Sequence, residues 1–152
     1  MRYCSHLIAV LLLTAGSAIL SPRSISQTVG RTDMSSSQQE KASVDSVVDF
    51  LLTSAVTDFH AHGPSGPLRF REVHVGHVMN PGAGKQYMLC GQFVVKGQEA
   101  TSQWTPFVTI KTSGYEQYVG GHSADFCKDS TIVWENAGDV TSLLQRRFDA
   151  PR

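Results

Sequence analysis

Val44, Val47, Val48, Leu51, Leu52, Ala55, Val56 and Phe59 recur at intervals of three and four residues. That spacing lines one side of a 3.6-residue helix with apolar groups. The stripe predicts a helix opening at Ser43, whose hydroxyl suits an N-cap, with Asp45 and Asp49 in its early turns and on its solvent face. The helix has to stop before Gly63-Pro64-Ser65-Gly66-Pro67, which cannot continue it. Alternation then takes over. Leu68-Arg69-Phe70-Arg71 and Val73-His74-Val75 each alternate, but out of phase with one another, and a bulge near Arg71-Glu72 would reconcile them.

Asn80-Pro81-Gly82-Ala83-Gly84 reads as a turn. Lys85 to Val95 then forms a strand, with Tyr87, Leu89, Gly91, Phe93 and Val95 on one face. Lys96 to Gln103 is a polar loop, and Trp104 to Lys111 makes a third strand whose Pro106 sits at an edge or bulge. From Ser113 to Lys128 no single period holds, because Gly114, Gly120 and Gly121 interrupt it. Ile132-Val133-Trp134 fits a short strand. A last helix starts at Asp139, with Val140, Leu143, Leu144 and Phe148 on one side and Arg146 and Arg147 near its C-terminus. The order predicts an α+β domain, with a long N-terminal helix packed on a three- to four-stranded antiparallel sheet and a C-terminal helix.

The segment before this domain is organised differently. Arg2, the apolar run Leu7-Ile8-Ala9-Val10-Leu11-Leu12-Leu13 and the small residues Ala15-Gly16-Ser17-Ala18 form the three parts of a signal peptide. Small residues precede two possible cuts, after Ala18 and after Ser26. A spanning helix needs about 20 apolar residues, and the stretch from Leu7 to Leu20 falls short of it. Residues 1–26 are therefore assigned to a cleaved signal peptide, with no membrane span afterwards. Residues 27–42, rich in Ser, Gln and Thr, are assigned to a disordered polar linker, and residues 43–150 to one α+β domain.

Composition narrows the function by exclusion. Cleavage after Ser26 takes away two of the 13 basic side chains and none of the 13 acidic ones, leaving a mature charge of about −2. Nucleic acid and anionic lipid both call for clustered Lys and Arg, so nucleic-acid binding is set aside. Cys4 leaves with the signal peptide. Cys90 and Cys127 remain, and an even count in an exported chain favours a disulfide between them.

Four runs carry a resemblance: Arg69-Phe70-Arg71-Glu72-Val73, Leu89-Cys90-Gly91-Gln92-Phe93, Trp104-Thr105-Pro106-Phe107 and Gly114-Tyr115. Together they resemble a group of small secreted bacterial proteins of unknown function, which pair a Cys-Gly strand with a following Gly/aromatic segment. The similarity covers about a third of the chain. It departs after Cys90-Gly91, where Phe93-Val94-Val95 replaces a more polar run. The resemblance implies export, a disulfide and a bacterial source, and no activity.

Among candidate chemical motifs, His60-Ala61-His62 looks like the His-x-His metal pair of amidohydrolase barrels. That fold needs about 250 residues, and Phe59 places these histidines at a helix end. A surface metal site using them would need help from His74, His77 or His122. Asn80 to Gln86 suggests a phosphate loop, but Met79 and Gln86 occupy positions that require glycine and Ser or Thr. There is no Gly-x-Ser-x-Gly elbow. Asp125 with Asp129, or Glu135 with Asp139, could pair as acid and base.

The aromatic residues Trp104, Tyr115 and Tyr118 are the candidate binding residues, since exposed Trp and Tyr on an edge strand make good contacts for a protein or glycan. Phe107, of opposite strand parity to Trp104, is expected on the other face. The sequence leads to an exported, non-enzymatic binding or accessory module of the bacterial envelope, without a cofactor. The alternative is a small metal-dependent hydrolase using His60 and His62.

Overall fold

The computed structural model describes residues 36–101 and 103–151. The expected signal peptide and the first part of the expected polar linker lie outside the described residues. Helix α1 (Ser36–His62) is followed by β1 (Leu68–Asn80), β2 (Gly84–Val95), β3 (Thr105–Lys111) and β4 (Tyr115–Val119). A short helix α2 (Ser123–Cys127), strand β5 (Val133–Asp139) and helix α3 (Thr141–Asp149) complete the domain. All strand pairs are antiparallel, in the order β4-β3-β2-β1-β5. The protein is thus α+β, with five strands where three or four were expected. The additional strand is β4, drawn from the glycine-interrupted stretch whose side chains show no clean alternation.

The apolar stripe of α1 meets one face of the sheet. Val48, Leu51, Leu52, Ala55 and Phe59 are buried with Phe70, Val75, Leu89, Phe93 and Phe107. Phe59 stands at the centre, with its ring 5.1 Å from Phe70, 5.0 Å from Phe93 and 5.1 Å from Phe107, edge to face in each pair. Such pairs add about 0.5–1.5 kcal/mol each beyond the burial of their area. Gly91 makes room for this cluster. A Cβ there would come within 2.7 Å of the Phe107 ring and 2.9 Å of Val73.

The N-terminal boundary of α1 departs from the sequence reading. The helix is already formed at Ser36, so Ser43 is an interior residue and no N-cap, and residues 36–42 are helical where a disordered linker was expected. Those residues are exposed, so no apolar period marks them. Gln38, Gln39, Glu40, Lys41 and Ala42 are good helix formers, and a helix nucleated by the docked segment extends through them at little cost. Glu40 also reaches Lys85 across a 3.8 Å exposed ion pair.

The opposite face of the sheet has a smaller cluster of Met88, Cys90, Val108 and Ile110, packed with Cys127 and Ile132. The covering segment is held covalently. Cys90 and Cys127 form a disulfide with Cα atoms 5.8 Å apart. Helix α2 is also stitched to β3, because Ser123 Oγ lies 3.0 Å from the Pro106 carbonyl and 2.8 Å from that of Gly120.

Phe59→Ala is expected to lower the unfolding free energy by about 3–5 kcal/mol, since it empties the centre of the aromatic cluster. Phe126→Ala, at an exposed ring, should change it by about 0.5 kcal/mol or less. Urea denaturation of both variants checks the pair.

Candidate binding groove

Strand β1 carries the predicted bulge. Arg71 pairs with Gln92 and His74 with Cys90, so one extra residue is accommodated between them. Glu72 takes up the irregularity with φ of 53°, the one positive value at a non-glycine residue among the described residues. For an L-residue the left-handed conformation costs roughly 1–2 kcal/mol. Such strain persists only where the surroundings impose it.

The imposing contacts come from α3. The backbone N–H of Val73 donates to Thr141 Oγ1 at 2.9 Å, and the Val140 N–H donates to the Val73 carbonyl at 2.8 Å. Two residues upstream of the bulge, the Phe70 N–H donates to Gln145 Oε1 while Gln145 Nε2 donates to the Leu68 carbonyl. Side chains of α3 thus occupy the edge of β1 where no strand pairs with it. Asp139 locks the junction, as the Thr141 N–H donates to its Oδ1 at 2.7 Å. Hydrogen bonds from the hydroxyl and backbone of Thr141 hold the Asp139 carboxyl below its usual range, with His74 adding a smaller effect.

With the bulge fixed, Glu72 faces the side of the sheet that carries α2. Gln92 Nε2 donates to Glu72 Oε2 at 3.1 Å, and Gln92 Oε1 accepts from Arg71 Nε and Nη2 at 3.1 and 2.7 Å. The Arg71 guanidinium in turn lies 4.2 Å over the Trp104 ring, a cation–π contact. Beside this network His74 meets Trp134 edge to face, with ring centroids 6.0 Å apart. The indole of Trp134 reaches over the sheet because position 76 is glycine. A Cβ there would lie 2.9 Å from Trp134 and 2.6 Å from Ile132.

These residues surround a surface groove of about 360 Å³, whose lining includes Glu72, His74, Gln92, Pro106, the disulfide, Lys128 and Trp134. Trp134 is 46% exposed, so its ring is available to a ligand.

The three aromatic residues singled out from the sequence do not form one surface. Trp104 is half-buried beneath Arg71, outside the groove's lining. Tyr118 stacks on Phe126 of α2 and donates its hydroxyl to Glu116 at 2.6 Å, a bond that raises its pKa. Ala124, Cys127 and Lys128, at i, i+3 and i+4, face the groove, while Phe126 points away from it. Tyr115 is on the α1 side, near Asp49, Phe50 and Thr53. Phe107 is buried in the cluster around Phe59, opposite to Trp104 in parity as expected.

The histidines part in the same way. Residues two apart on a helix point in nearly opposite directions. His60 stacks on Phe148 at 4.4 Å, whereas Nδ1 of His62 lies 3.1 Å from Asp58 Oδ1. His77 is buried 2.6 Å from Glu135, and His122 pairs with Asp125 on the exposed surface. No group of three His, Cys, Asp or Glu close enough to hold a metal ion occurs among the described residues. The candidate acid and base pairs also have other partners. Asp129 accepts from Thr131, which lowers its pKa, and Asp125, Glu135 and Asp139 are engaged by His122, His77 and Thr141.

Sequence reasoning missed Glu72, His74, Gln92 and Trp134 as a group. One signal was present, the phase break at Arg71-Glu72. No protein-family model, curated protein or solved structure matches the chain.

Because the folded pKa of Asp139 is lowered, its contribution to stability is complete above the unfolded value of 3.8 and lost as pH falls through the folded one. Asp139→Asn is expected to flatten the loss of stability as pH falls below about 4. Thermal unfolding across that range compares the two proteins.

Proposed function

We propose that the protein is an exported, non-enzymatic binding module of the bacterial envelope, and that the groove over the disulfide is its contact surface. The observation that carries this reading is Glu72. Its left-handed backbone is imposed by α3, and its carboxylate is tied to the Gln92–Arg71–Trp104 network at the groove. Strain of this kind clusters at ligand sites, where it orders side chains before the ligand arrives. The contact set is therefore moved from Trp104, Tyr115 and Tyr118 to Trp134 with Glu72, His74 and Gln92, while Trp104 lies beneath Arg71 outside the groove's lining. The disulfide supports a compartment outside the cytoplasm, where such bonds persist. Among the described residues no helix is long and apolar enough to cross a membrane. The signal-peptide pattern and the resemblance to small secreted bacterial proteins support the same placement.

Two measurements test this. On fractionation of a bacterium expressing the full chain, the product should lie outside the cytoplasm, begin at residue 19 or 27 and carry no free thiol. Cytoplasmic product retaining residues 1–26 would remove the reading. Separately, Glu72→Gly should leave stability unchanged or raise it by up to about 1 kcal/mol, because glycine accepts the backbone that glutamate resists. A clear loss of stability would mean that Glu72 is there for the fold and not for the groove.

A further inference from the structure

We infer that the groove takes a pyranose ring of a glycan, an assignment that rests on its being a binding site at all. A pyranose is amphipathic, with a face of C–H bonds and a rim of hydroxyls. The groove offers both complements. The half-exposed indole of Trp134 provides an apolar plane. The carboxylate of Glu72, the imidazole of His74 and the second N–H of the Gln92 amide are suited to neighbouring hydroxyls. Gln92 is already fixed in orientation by Arg71 and Glu72, so little side-chain freedom is lost on binding.

Other ligand classes fit less well. An extended peptide adds to a sheet through free backbone groups at an edge. The groove lies instead on the face of β1, β2 and β3, where β2 is paired on both sides. A phosphate or polyanion needs converging cations. Here Arg71 is committed to Gln92 and Trp104, and Glu72 offsets Lys128. A lipid chain calls for an apolar cavity, whereas this lining carries amide, carboxylate, imidazole and ammonium groups.

The chain has two tryptophans, and Trp134 lines the groove while Trp104 lies under Arg71 outside it, so the fluorescence of Trp134 reads the groove directly. The exported, disulfide-closed protein is titrated with chitotetraose, maltotetraose and an extended Ala-Thr peptide. Expected is a saturable blue shift with at least one sugar and protection from acrylamide quenching. Trp104→Phe should keep the response and Trp134→Phe should abolish it. Gln92→Leu, with an unchanged urea midpoint, should weaken the sugar at least tenfold. A saturable response to the peptide alone would overturn the glycan assignment and leave the groove as a binding site. No response to any probe would overturn both.

Discussion

The fold turns on where the ring of Phe59 is placed. Three phenylalanines from three adjacent strands, Phe70, Phe93 and Phe107, converge on it at nearly equal distances. Their convergence fixes α1 over the middle of the sheet. It also demands that the central strand have no side chain at Gly91, where a methyl would strike Phe107. With one face of the sheet closed in this way, the other is left for the shorter covering of α2 and its disulfide. The covering is partial, and the uncovered part is the groove.

A second constraint joins the two ends of the domain. Gln145 and Thr141 serve the backbone of β1 as a neighbouring strand would, by accepting from Phe70 and Val73 and donating to Leu68. Arg147 ties the same helix to α1 through Asp49 and Thr53. The clamp on Val73 sets the bulge, and the bulge sets Glu72. The orientation of a carboxylate in the groove is thus decided by a helix packed at the edge of the same strand.

Much of this was legible in local pattern. The period of α1 identified its buried face, the alternation of β2 identified the residues facing the helix, and the phase slip in β1 located the bulge. The cysteines identified their own bond. Residues 36–42 were misread because helix propensity without an apolar stripe leaves no periodic mark. Strand β4 was missed because it is short and mostly exposed, so its side chains need not alternate. The groove was illegible for a different reason. Glu72, Gln92 and Trp134 meet only through pairing across β1, β2 and β5, and nothing in their sequence neighbourhoods announces it. Parity separated Trp104 from Phe107 correctly. It could not show that Tyr118 would stack on Phe126 of α2, while Trp104 lies under Arg71.

The use of side chains in place of a strand along β1 also bears on how that edge is kept from pairing with another chain. An unpaired strand edge is a template for another chain, and here the template is masked by a nine-residue helix and not by further sheet. Short helices open more readily than central strands. Each transient lifting of α3 would bare the Leu68–Val73 backbone to a neighbouring molecule. Exposure of this edge thus depends on the local opening of a short helix and not on the core around Phe59.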